Sequence, residues 1–160
     1  MLIRALNEKD IPAWLALAHE SDDVIARMIP DIAVFYDSFN EYMARKIKQR
    51  EAFMATDVLT RKCLGIIAFS RTHNRITFLG ITKKADFSVI GTKLMEFALK
   101  QLDSSKEITA NVLKSTAGIF QKEQSLYKRF GFVETDNITM ENGIPARQMK
   151  KNIEKVASVD

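Results

Sequence analysis

Thiol and imidazole groups, frequent nucleophiles, bases and metal ligands, are scarce in this 160-residue chain, which has one cysteine and two histidines. Cys63 could attack an electrophile. It opens the apolar run Cys63-Leu64-Gly65-Ile66-Ile67-Ala68-Phe69, however, where a small buried hydrophobe is the expected role. His73 stands in the turn signal Thr72-His73-Asn74 and is expected in solvent. His19 ends a helical pattern, where a cation complements the helix dipole. Two distant histidines and a single cysteine give no zinc-type ligand set, so no metal is expected. Glu51, Asp57 and His73 are open candidates for a proton acceptor, and none of them sits in a motif.

The elements that must position any site follow from periodicity. Met1 to Leu6 reads as an opening strand, and Asn7 can cap the helix that carries Ile11, Trp14, Leu15 and Ala18 at helical spacing. Pro30 suits the first turn of a second helix, with Ile32, Phe35, Phe39, Tyr42, Met43 and Ile47 on one side. That helix ends in a basic cluster from Arg45 to Arg50. Its aromatics and Trp14 are expected in the core, some of them walling a cleft. The period then changes to that of strands. Ala52–Thr56, Cys63–Phe69 and Ile76–Ile81 predict an antiparallel meander, the middle strand buried on both faces.

Helical spacing returns at Ile90, Leu94, Met95, Ala98, Leu99 and Leu102. Ile108, Ala110 and Val112 alternate as in a strand, which makes residues 76–112 a right-handed parallel crossover. Ile119, Leu126, Tyr127 and Phe130 mark a last helix, stopped by Gly131. Phe132–Glu134 and Ile144–Met149 close the sheet. The reading is a single α/β domain over residues 1–160. It has a mixed, mostly antiparallel sheet of about six to seven strands and about four helices.

Three runs resemble a known family: Ile76-Thr77-Phe78-Leu79-Gly80-Ile81, then Ile90-Gly91-Thr92-Lys93-Leu94-Met95-Glu96-Phe97-Ala98, then Ser125-Leu126-Tyr127-Lys128-Arg129-Phe130-Gly131-Phe132. Together with the element order, they are similar to the GNAT superfamily of acyl-CoA-dependent N-acetyltransferases. The resemblance implies a cleft where two neighbouring parallel strands, at residues 76–82 and 107–113, splay apart. Leu79, Gly80 and Ile81 would meet the pantetheine arm of acetyl-CoA. Ser88, Val89, Ile90, Gly91, Thr92 and Lys93 would receive its pyrophosphate where the next helix begins, a natural anion site. An amine would attack the thioester directly, and Tyr127 would protonate the leaving thiolate. Tyr127 has a structural alternative, as a core residue of an amphipathic helix.

The chain departs from that family in three places. The pyrophosphate loop, Arg/Gln-x-x-Gly-x-Gly/Ala, falls on Asp86-Phe87-Ser88-Val89-Ile90-Gly91, of which only Gly91 matches. Asp86 would repel a pyrophosphate or, as an N-cap, occupy the same amides, while Lys83, Lys84 and Lys93 supply compensating charge. Phe120 stands where many members place an asparagine, seven residues before the tyrosine. Residues 74–82 hold no Asp or Glu to act as base. A weakened acyl-CoA-binding or protein-interaction module is therefore the alternative to an active N-acetyltransferase.

Composition bounds the rest. Net charge is +4, hydrophobic residues make up 46% and charged ones 28%, as in ordinary folded proteins and unlike disordered ones. So modest a charge, with no interleaved aromatics in the basic tail, argues against nucleic acid. No apolar run approaches the roughly 20 residues of a membrane span, and no apolar leader opens the chain. Cytoplasmic location is the expectation. The partners implied are acetyl-CoA and an amine acceptor, with a homodimer left open.

Overall fold

A computed structural model describes residues 1–29, 31–113, 118–141 and 144–153. The chain opens with β1 (Leu2–Ala5), a 3-10 turn at Glu8–Asp10 capped by Asn7, and α1 (Ile11–His19). A four-residue helix, α2 (Asp22–Ile25), follows, too short to leave a periodic signal. The third helix, α3 (Ile32–Lys48), is capped by Asp31, whose side chain accepts from the Ala33 N–H. Pro30 lies outside the described residues.

The meander follows as β2 (Ala52–Thr56), β3 (Cys63–Ser70) and β4 (Arg75–Ile81). As its pattern predicts, β3 is buried from Gly65 to Ser70. Then come α4 (Phe87–Gln101), β5 (Ile108–Leu113), α5 (Gly118–Arg129), β6 (Phe132–Glu141) and β7 (Ile144–Lys151). The seven strands form one sheet in the order β1-β2-β3-β4-β5-β7-β6. Gly131, at φ +88°, reverses the chain after α5 as expected. β6 runs beyond Glu134 through a register shift at Thr135-Asp136-Asn137, residues of weak strand preference that hid its length.

Two layers cover the sheet. On one face, α4 and α5 bury Ile67, Ile76, Leu94, Met95 and Tyr127 in the larger core. On the other, α1 and α3 pack on Met54, Ile66 and Ala68 around the fully buried Trp14. The Trp14 ring meets Phe39, Tyr42 and Phe78 edge-on at 5.6–5.9 Å. Trp14 is thus core, whereas Tyr42 and Phe78 carry that core to the edge of a cleft.

That cleft comes from one irregularity. Ala68 pairs with Phe78, but Phe69 pairs with Ile76, so Thr77 is an extra residue in β4. Such a bulge bends its strand and ends regular pairing. β4 and β5 are parallel and pair only at Arg75–Thr109 and Ile76–Ala110. Past the bulge the two strands separate.

Asn74 holds the narrow end shut. It sits at φ +49°, a conformation that asparagine tolerates, with its side chain buried. Its Nδ2 donates to the Asp103 and Glu107 carbonyls, both at 2.9 Å, and its Oδ1 accepts from the Asp103 N–H at 2.8 Å. Asn74→Ala is expected to cost about 2 kcal/mol, the penalty of leaving such buried groups unpaired. Urea denaturation would measure it.

Candidate active site

The opening between β4 and β5 is a cavity of about 580 Å³. Its apolar wall comes from Leu17, Phe35, Phe39, Phe78 and Phe120 on four separate elements. Leu79, Gly80 and Ile81, the residues that the resemblance assigns to the pantetheine arm, line it from β4. Gly80 leaves room there: a Cβ would lie 3.0 Å from the Phe78 ring and 3.2 Å from Leu17. Glu20 ties α1 to the far end of β4, accepting from the Thr82 hydroxyl at 2.9 Å and the Lys83 N–H at 2.8 Å.

A second hollow, lined by Ala85–Ser88 and by Gln121, Lys122, Ser125, Leu126 and Arg129, lies between the start of α4 and α5. Asp86 is the N-cap of α4, and its carboxylate accepts from the Val89 N–H at 3.0 Å. One of the amides expected to hold phosphate therefore already has a partner. Arg129 answers from α5. Its guanidinium donates to Ser88 Oγ at 2.9 Å and also to Thr92 Oγ1, placing a fixed positive charge over the first turn of α4. The sequence pointed to Lys83, Lys84 and Lys93 for that charge; 41 residues separate Ser88 from the arginine that supplies it. Val89 and Lys93 are exposed, and Ile90 is buried.

Gly91 is placed by packing. A Cβ there would lie 2.7 Å from Leu126 Cδ2 and 3.1 Å from Ile81 Cδ1, so glycine lets α4 approach α5 and β4 closely.

Tyr127 is 2% exposed and lines neither hollow. Its ring meets Phe132 edge-on at 5.2 Å. Burial lifts its phenol well above the usual range, and the charges of Glu123 and Tyr42 add to that effect. Both of these neighbours line the cavity, so the hydroxyl stays protonated within electrostatic reach of it.

Glu123 is the residue that sequence reasoning passed over. It lines the cavity from α5, and burial pushes its carboxyl up to about 8. Phe120, Glu123, Tyr127 and Phe130 fall on one helical stripe. An acid inside an otherwise apolar stripe was the available signal.

The other three base candidates stand elsewhere. Glu51 is buried against Lys46 and accepts from the Arg71 N–H at 2.6 Å. Asp57 is partly exposed in the β2–β3 turn, where the N–H groups of Thr60 and Leu59 hold its carboxyl below the usual range. His73 is exposed, and its N–H donates to Ser70 Oγ. Cys63 is partly buried, and desolvation raises its thiol to about 11, which leaves it a poor nucleophile.

A splayed parallel pair beside a helix start is the arrangement that the resemblance of the three motif runs implies. The acetyltransferase (GNAT) domain family matches residues 16–153. The chain belongs to the GNAT acetyltransferase family. No curated protein matches it significantly by sequence.

Solved structures share the GNAT fold over almost the whole chain. The PaiA N-acetyltransferase of Thermoplasma acidophilum, in complex with coenzyme A, has 18% identity and a TM-score of 0.70, with 94% of this chain and 98% of that one covered. A GNAT acetyltransferase of Bacillus cereus has 11% identity and a TM-score of 0.67, covering 96% and 98%. A phosphinothricin acetyltransferase of Sinorhizobium meliloti, in complex with AcCoA, has 11% identity and a TM-score of 0.66, covering 99% and 91%. Among the described residues of this GNAT domain, no helix is long and apolar enough to cross a membrane.

Proposed function

We propose that this GNAT domain is an active N-acetyltransferase. Acetyl-CoA binds between β4, α4 and α5, and a primary amine enters from the α1–α3 side. The observation that supports this best is the bulge at Thr77, beyond which Leu79, Gly80 and Ile81 line an open cleft instead of a continued ladder with β5.

The residues present fit the co-substrate. The start of α4 offers backbone donors and the positive end of a helix dipole, and Arg129 adds charge to offset Asp86. Ser88, Val89, Ile90, Gly91, Thr92 and Lys93 would hold the pyrophosphate there, and Leu79, Gly80 and Ile81 the pantetheine arm. Bound acetyl-CoA would supply an activated acyl thioester. Tyr127, kept neutral by burial, would stabilise and protonate the sulfur that leaves.

Calorimetric titration with acetyl-CoA tests this reading. Micromolar affinity, about −8 kcal/mol, is expected. No binding at millimolar co-substrate would sink it and favour a protein-interaction role. Asp86→Arg is expected to tighten acetyl-CoA about tenfold by replacing repulsion with attraction. The same change should cost about 1 kcal/mol of stability through the lost N-cap. Unchanged or weaker affinity would show that the phosphates do not approach this turn.

A further inference from the structure

We propose that Glu123 receives the ammonium group of the acceptor and takes its proton, and that the acceptor is a small monoamine with an apolar, ring-sized body. This deepens the acetyltransferase reading and rests on it for the chemical step only, since the amine-binding half needs no acetyl-CoA.

The cavity sets the class. Phe35, Phe39 and Phe78 give it an aromatic wall, with Phe35 and Phe39 stacked at an interplanar angle of 8° and Phe78 tilted by 40° against Phe39. Rings of this kind hold an apolar body and attract a cation to their faces. Glu123 brings a carboxylate to that wall from α5.

The other ionisable groups around the cavity are Glu20, Glu41, Tyr42, Arg45, Arg75 and, behind the wall, Tyr127. Glu20 is bound to Thr82 and Lys83, and Arg75 Nε donates to Thr109 Oγ1 at 3.1 Å. Arg45 lies over the Tyr42 ring at 5.7 Å, and Glu41 is an exposed residue of α3. Glu123 is the carboxylate that apolar surroundings leave without an ion-pair partner among the described residues. Arg45 and Arg75 offset two of the three carboxylates that line the cavity, which leaves the equivalent of one negative charge for a single ammonium.

The proton balance closes without an outside reagent. The ammonium loses one proton to Glu123. Its freed lone pair forms the C–N bond at the thioester carbonyl carbon while the C–S bond breaks. Tyr127 gives its proton to the departing sulfur, and the nitrogen's second proton restores the phenol. Glu123 returns the first proton to solvent.

The test compares wild type and Glu123→Gln for binding of 2-phenylethylamine and of its uncharged isostere 2-phenylethanol. It is run at about pH 8.5, between the carboxyl's midpoint and that of an alkylamine. The amine should bind wild type at least about tenfold more tightly than the alcohol, the worth of a charge-assisted hydrogen bond, and Glu123→Gln should erase the difference. Equal binding of the two probes by wild type, or a preference that survives in Glu123→Gln, overturns the proposal. So does the absence of any binding, whatever acetyl-CoA itself does.

A second readout needs no ligand. A carboxyl raised to about 8 in the fold binds more protons than the unfolded chain between its ordinary value and 8, so it costs stability as pH rises through that window. Glu123→Gln should therefore gain in unfolding midpoint over wild type as pH rises from about 5 to 8. A difference independent of pH would place Glu123 in solvent and overturn its role.

Discussion

Tyr127→Phe should lower turnover by about 10²–10⁴, the usual contribution of a positioned proton donor, while leaving acetyl-CoA affinity almost unchanged. The ring is 2% exposed and packs on Phe132, and phenylalanine preserves that contact. The variant should therefore fold and bind, and lose only the O–H. The direction with pH follows from the raised phenol: wild type keeps its proton across the neutral and mildly basic range, so the acid adds no falling limb there. Steady-state kinetics and calorimetry on the same preparations separate the outcomes. Turnover equal to wild type would remove Tyr127 from the chemistry and leave it as core. A parallel loss of affinity would mean that the hydroxyl supports the cleft rather than the reaction.

The parts of this fold that were legible in the sequence are those whose signal is local. The stripe from Ile90 to Leu102, the Asp86 cap and Gly131 depend on neighbours within a turn or two, and α4 and the end of α5 lie where they predict. The solid apolar run of β3 reported its burial on both faces for the same reason. The site was less legible because long-range placement makes it. The bulge at Thr77 appears only when β3 is paired with β4. The partnership of Arg129 with Ser88 and Thr92 depends on α5 packing beside α4. Gly91 matched a phosphate-loop position, yet its missing Cβ makes room for Leu126 and Ile81. The position of Glu123 in an apolar stripe is local, but the cleft that it faces is formed by residues far away in the chain.

Glu51 shows why a carboxylate's type is not its role, and its replacement should produce a large loss of stability. Lys46 is 4% exposed, and its ammonium donates to Glu51 at 3.2 Å and to the Phe69 carbonyl at 2.8 Å. The other Glu51 oxygen accepts from the Arg71 N–H. Glu51→Ala leaves the buried Lys46 cation without its counter-ion and the part-buried Arg71 N–H without its acceptor, at an expected cost of about 3–5 kcal/mol. Lys46 already has its pKa lowered by burial, against which Glu51 acts. Without Glu51 it should fall further. A lowered folded pKa means that the unfolded chain binds more protons, so the stability of Glu51→Ala should recover as pH rises toward the ordinary lysine value. Adding Lys46→Met removes the orphaned charge and should restore much of the loss at neutral pH. Urea denaturation across pH, on both variants, measures each step. Were Glu51 the catalytic base instead, the folded fraction of Glu51→Ala would lose about 10²-fold or more in turnover. Its place beneath the α3–β2 turn, lining neither hollow, predicts that the folded fraction keeps it.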